Sequence, residues 1–152
     1  MYIKDVLENY KDKKIKIYVD MDGVIADYDV GNPKDYDKKR PLLSNIKVLE
    51  EISKNSNIEM YILSVSRMND GVEQKEYWLD KYAPFFEKDN RIIIPREKNE
   101  FATATELKLN YIKNVERKGE VIIVIDDDPR ILHALREANL DMCLLKDTAL
   151  IL

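Results

Sequence analysis

Apolar residues recur along the chain with two different periods, and the two alternate. Short apolar runs occur at 15–19 (IKIYV), 58–63 (IEMYIL), 91–94 (RIII), 121–125 (VIIVI) and 142–145 (MCLL). Each has the length and β-branched character of a strand. Between them, apolar residues spaced three and four apart predict helices over about 43–54, 71–83, 104–116 and 129–138. Strands and helices in strict alternation predict an α/β, Rossmann-like parallel sheet of about five strands with helices on both faces. The run VIIVI carries no polar alternation, as expected of a central strand covered on both sides. Residues 1–12 predict one further amphipathic helix through Ile3, Val6, Leu7 and Tyr10. No repeat, low-complexity tract or linker interrupts the pattern, so residues 1–152 read as a single domain, with 28–42 a short insert.

Composition narrows the function. A chain of 152 residues buries about two thirds of its unfolded surface, enough for one core. A net charge of -4 excludes a polycation that holds nucleic acid by bulk electrostatics, so any nucleotide substrate must be gripped locally. The single cysteine, Cys143, excludes an internal disulfide and a multi-cysteine metal site. It lies in an apolar run and reads as a structural thiol in a reducing compartment. The N-terminus lacks the apolar core of a signal peptide, and no run reaches the ~20 residues of a membrane span. The expectation is a cytoplasmic protein with no membrane partner.

Candidate chemistry lies at the carboxyl ends of the strands, where sheets of this type bind ligands. The first strand ends in Asp-Met-Asp (Asp20, Asp22), the second in Ser-Val-Ser-Arg, the third in Pro-Arg-Glu-Lys and the fourth in Asp126-Asp127-Asp128-Pro. Two acidic clusters facing each other on adjacent strands repel strongly unless a positive charge lies between them. With oxygen ligands alone and no His or Cys nearby, a hard divalent cation such as Mg2+ fits best. Asp128 reads instead as a helix cap, because Pro129 follows at the favoured first helical position. The stretch Thr103-Ala-Thr-Glu106 resembles a capping box opening the helix before the fourth strand.

The segment YVDMDGVIAD resembles the first motif of the haloacid dehalogenase superfamily of phosphohydrolases. VIIVIDDDP resembles its fourth motif, and MYILSVS fits its second, a strand ending in Ser or Thr. The resemblance implies that Asp20 is a nucleophile forming an aspartyl phosphate and that Asp22 is general acid and then base. It implies that Mg2+ is held by Asp20, the main-chain carbonyl of Asp22 and Asp127, with Asp126 as a second acidic partner. Ser64 would bind a phosphate oxygen, with Ser66 the alternative if the second strand runs longer. The third motif supplies a lysine. Lys108, in the helix before the fourth strand, is favoured by position; Lys98, directly after the third strand, is the alternative. Any other lysine reads as part of a solvated helix face.

The stretch KEYWLDKYAPFFEKDNRIIIPREK is similar to 5'(3')-deoxyribonucleotidases, whose lysine would fall on Lys98. Those enzymes carry a substantial helical cap, and the insert 28–42 is too short to fold as one. The phosphatase half of phage polynucleotide kinase resembles the chain in its short connection and in a lysine matching Lys108. The implied substrate is a phosphomonoester, either a small molecule or a nucleic-acid end. An open site suits the latter. Transfer of the phosphoryl group to an alcohol, hydrolysis of another phosphorylated metabolite and a non-catalytic binding role are the alternatives. Tyr28 and Tyr36 read mainly as packing the insert, Trp78 as core, and His133 as a surface residue.

Overall fold

The computed structural model describes residues 2–28, 35–67, 71–96 and 101–151. Five strands, β1 (Ile15–Val19), β2 (Ile58–Ser66), β3 (Arg91–Pro95), β4 (Val121–Ile125) and β5 (Cys143–Leu145), form one parallel sheet in the order β3-β2-β1-β4-β5. The helices are α1 (Ile3–Asn9), α2 (Leu43–Ser53), α3 (Gly71–Tyr82), α4 (Ala104–Lys113) and α5 (Pro129–Glu137). The fold is therefore the Rossmann-like α/β sheet expected from the alternating periods. Among the described residues, no helix is long and apolar enough to cross a membrane.

Side-chain alternation along the strands divides the interior into two layers. Ile15, Ile17 and Val19 of β1, Met60 and Ile62 of β2, and Ile123 and Ile125 of β4 pack on one face with Ile3 and Val6 of α1, Leu49 of α2, and Trp78 and Leu79 of α3. Tyr18, Leu63, Ile122 and Val124 pack on the other with Ile112 of α4 and Ile131, Leu132 and Leu135 of α5. The unbroken apolar run of β4 is thus shared between two cores, and each fully buried aliphatic side chain contributes about 1.5–3 kcal/mol. Ala149 and Leu150 are also buried in the core.

Helix ends follow local chemistry. Thr103 and Glu106 form a reciprocal capping box at the start of α4. Asp128 accepts from the Arg130 N–H at 2.9 Å and caps α5, with Pro129 in its first turn. The expected boundaries shift by a few residues. α4 stops at Lys113 rather than 116, the first helix is confined to 3–9, and β2 continues to Ser66 beyond the expected residue 63. That extension has a register cause, because Ser64, Val65 and Ser66 pair with Ile93, Ile94 and Pro95 of β3.

The chain runs from β1 outward to β2 and β3, then crosses to β4 and β5 on the other side of β1. The order reverses between β1 and β4, and the crevice at their carboxyl ends is the favoured ligand position.

Candidate functional site

Alternation carries beyond the last ladder residues and decides which helix meets which carboxylate. Asp20 keeps the parity of Tyr18, and Asp126 that of Val124, so both lean toward the α4 side. There the Lys108 ammonium reaches Asp20 Oδ1 at 2.9 Å and Asp126 Oδ2 at 2.7 Å, with all three side chains at least nine-tenths buried. Burial opposes charge on Lys108, but the two carboxylates outweigh it and hold the ammonium above the ordinary lysine range. Burial and the neighbouring Asp20 charge push Asp126 up to about 7, against the pull of Lys108. Asp127, half-buried, is pushed up to about 6 by burial and Asp20.

Carboxylate oxygens of Asp20, Asp126 and Asp127 lie within 4.8 Å of one another. Three carboxylates against one ammonium leave an excess negative charge that burial makes costly, and a hard divalent cation matches this all-oxygen donor set.

The loop after β1 is shaped by Gly23. Its φ of +81° is left-handed, and a β-carbon there would collide with the Asp127 carboxylate. The main-chain carbonyl of Met21 accepts from Val24, Ile25 and Ala26 at 2.9–3.1 Å, which closes the turn and projects Asp22 away from Asp20.

Asp22 faces the α3 side. Lys39 Nζ lies 2.6 Å from one of its oxygens and Lys75 Nζ 3.3 Å from the other. Burial opposes its ionisation, yet Lys75 and Lys39 prevail and hold the carboxyl below the usual range. Burial and the Asp22 charge push the adjacent Tyr36 phenol well above its ordinary range. The Tyr36 hydroxyl is buried beside the Asp22 carboxylate.

Lys39 is delivered by the end of the insert, whose described part holds a short helical turn, Tyr36–Lys38. Tyr36 N–H donates to Gln74 at 3.1 Å, and Trp78 Nε1–H donates to the Lys39 carbonyl at 3.0 Å. The Tyr36 ring meets Trp78 edge-on at 6.0 Å, so this part of the insert is clamped to α3. Tyr36 and Trp78 are packing residues, as expected.

Ser64 is almost fully buried, and its hydroxyl oxygen lies 2.6 Å from Lys75 Nζ. The structure thus brings together Asp20, Lys108, Asp126 and Asp127 on one side of the rim and Asp22, Ser64, Lys39 and Lys75 on the other. Lys98 lies outside the described residues. Asp27 pairs with Arg40 at 2.7 Å, and its N–H donates to the Arg40 carbonyl, a hydrogen-bonding role at the base of the insert. His133 is exposed, and Cys143 is half-buried with its thiol pushed up by burial.

Lys75 and Lys39 correct the expectation that lysines other than Lys108 and Lys98 are solvated, since Lys75 is only 4% exposed and the Lys39 side chain 10%. A signal for Lys75 existed: it occupies the buried stripe of α3 with Gly71, Trp78 and Leu79, where an apolar residue belongs. Nothing local marks Lys39, whose position depends on how the insert folds back.

The fold resembles parts of solved RNA repair assemblies. A chain in the structure of the Pnkp1/Rnl/Hen1 RNA repair complex matches with a TM-score of 0.67 and 18% identity, over 89% of this chain and 42% of that one. A chain in a further structure of the Pnkp1/Rnl/Hen1 complex matches with a TM-score of 0.69 and 17% identity, over 88% and 46% respectively. The present chain spans less than half the length of either, and at these identities the likeness is one of fold. No protein-family model matches the sequence, and no curated protein matches it significantly.

Proposed function

We propose that the chain is a magnesium-dependent phosphomonoester hydrolase of the haloacid dehalogenase type, acting on a nucleotide or nucleic-acid-end phosphate. The observation that carries this reading is the buried Lys108 ammonium shared by Asp20 and Asp126, with Asp127 beside them. A buried carboxylate at a strand end, charge-balanced and next to a cation-ready cluster, is what a carboxylate nucleophile for phosphorus requires.

An Asp20 oxygen attacks the phosphorus, the bond to the ester oxygen breaks, and the departing oxygen takes a proton from Asp22. Water then attacks the phosphorus of the aspartyl phosphate, giving its proton to the Asp22 carboxylate. Inorganic phosphate leaves, and Asp20 is regenerated. Asp20, the Asp22 carbonyl and Asp127 would hold Mg2+, with Asp126 as the second acidic partner; bound there, the ion supplies charge neutralisation between two anionic reactants. Lys108 holds Asp20 oriented and supplies the third-motif cation, and Ser64 serves a phosphate oxygen, with Ser66 the alternative that the longer β2 brings to the rim.

Asp22 is ionised at rest by Lys39 and Lys75, the form needed for the water step. An arriving phosphate dianion competes for Lys39 and so favours protonation of Asp22 for the first step. The nucleic-acid-end preference draws support from the likeness of fold to chains of an RNA repair complex.

The test is Mg2+-dependent hydrolysis of an aryl phosphate, followed by 5'- and 3'-nucleotides and phosphorylated oligonucleotide ends. Turnover by the wild type, lost in Asp20→Asn with the fold intact, is the expected result. Absence of turnover on every substrate, with Mg2+ present, would overturn the reading.

A further inference from the structure

Beyond its charge beside Asp22, the buried Lys75 has no task toward the phosphoryl group in the reaction above. Its three ammonium hydrogens have three acceptors: Ser64 Oγ at 2.6 Å, the Val65 carbonyl at 2.9 Å and Asp22 Oδ2 at 3.3 Å. The shortest contact is to Ser64, and Asp22 is held more closely by Lys39, at 2.6 Å. The main partner of Lys75 is therefore the serine.

Burial lowers the Lys75 pKa from the ordinary lysine range, against the pull of Asp22 and Asp20. In its ammonium form it only donates, and a hydroxyl has one hydrogen and two acceptor sites. Ser64 must accept from Lys75, so its own hydrogen is turned away from the lysine. The Val65 carbonyl pins the ammonium, which keeps that orientation from exchanging. Ser64 has the strand parity of Met60 and Ile62, which face α3, and Lys75 comes from the buried stripe of that helix. Lys75 thus lies behind the hydroxyl, and the hydroxyl hydrogen is free to serve an incoming anionic oxygen.

We propose that Lys75 is a positioning residue for phosphoryl transfer, acting through Ser64: it fixes the hydroxyl as a hydrogen-bond donor toward the phosphoryl oxygen. The proposal rests on the phosphatase reading of the same site. A preset donor is worth more in a buried site than one that must reorient during the reaction. Without Lys75 the hydroxyl is free to donate to neighbouring carbonyls instead.

The test is a double-mutant cycle with Lys75→Met and Ser64→Ala, measured with an aryl phosphate and Mg2+, with folding checked by circular dichroism. Methionine keeps the length of the side chain and removes the donors. The expected result is a fall in kcat/KM of about tenfold or more for each single variant, with the double variant within about threefold of Ser64→Ala. A structural defect unrelated to the serine would instead multiply with the Ser64→Ala loss. Multiplying losses, or a Lys75→Met variant within about threefold of wild type, would overturn the proposal.

Inorganic phosphate provides a second arm that needs no turnover. Phosphate should raise the melting temperature of the wild type, and Lys75→Met should weaken its apparent affinity only when Ser64 is present. An inactive wild type that shows this pattern defeats the phosphatase reading, and with it the role in phosphoryl transfer, and leaves only the orientation of Ser64 toward a bound phosphate. Equal phosphate affinities in wild type and Lys75→Met defeat the positioning role. If Lys75→Met does not fold, Lys75→Gln replaces it in both arms.

Discussion

Gly23 and Asp127 occupy adjoining space so closely that no β-carbon fits between them. A glycine in a left-handed turn after β1 lets a carboxylate from the end of β4 close over the loop, and these two strands flank the switch point of the sheet. The relationship gives Gly23 two reasons to be glycine, backbone and space.

Gly23→Ala should therefore displace Asp127 as well as strain the loop. The φ penalty alone is about 1–2 kcal/mol. If Asp127 holds Mg2+ as proposed, its displacement adds a second effect, and Mg2+ should raise the melting temperature of the variant less than that of the wild type. Titration calorimetry with Mg2+ checks this; unchanged affinity would mean that Asp127 does not need its present position to bind the ion.

The raised carboxyls of Asp126 and Asp127 predict how stability varies with pH. Both native values, about 7 and about 6, exceed the ordinary aspartate value of 3.8. These two carboxyls thus bind more protons in the folded protein than in the unfolded chain between about pH 4 and 7. Without metal, this pair therefore costs stability progressively as pH rises through that window. A divalent cation replaces the protons, so Mg2+ should raise the melting temperature more at pH 8 than at pH 5, by at least about 3 °C more. Melting curves with and without Mg2+ at the two pH values decide it, and equal increments would show that the cluster is not the binding site.

Lys108→Met removes the cation between Asp20 and Asp126 and leaves two buried carboxylates facing each other. Breaking a buried pair in this way costs about 3–5 kcal/mol, and the deficit should be smaller at low pH, where Asp126 is protonated. Phosphatase activity should fall by about a hundredfold or more. Lys98→Ala, assayed alongside, separates the two candidate lysines. Near-wild-type rates for Lys108→Met would move the third-motif role to Lys98 or to neither.

Legibility followed the range of the interactions. The parallel sheet could be read because β4 is apolar on both faces and each helix announces its buried stripe every three or four residues. Asp20, Asp22, Asp126 and Asp127 stood out because they form two acidic clusters, each directly after an apolar strand. Lys108 was readable from the capping box at Thr103, which places it in the early turns of α4. Lys39 was not, since its contact with Asp22 depends on a turn clamped to α3 by Trp78 and Gln74, a tertiary event with no local period. Lys75 lay between these cases. Its place on an apolar stripe was visible, but lysine is common enough on helices that burial shows only once Ser64 and Asp22 are seen opposite it.

The same clamp yields a prediction about pH and rate. Lys39 holds Asp22 ionised from a side chain that is only 10% exposed, so solvent screens the contact weakly. Replacing Lys39 by Met removes one of the two charges that outweigh the burial of Asp22, and the proton affinity of Asp22 must rise. If water attack limits the rate, Asp22 acts as base, and the acidic limb of kcat moves to higher pH. If ester cleavage limits it, Asp22 acts as acid, and the alkaline limb moves to higher pH. Both cases shift the profile in the same direction, whereas loss of a mere packing contact would lower the rate at every pH. Profiles of kcat and kcat/KM for wild type and Lys39→Met distinguish these outcomes. A profile lowered in height but unmoved along the pH axis would show that Asp22 takes its charge from elsewhere.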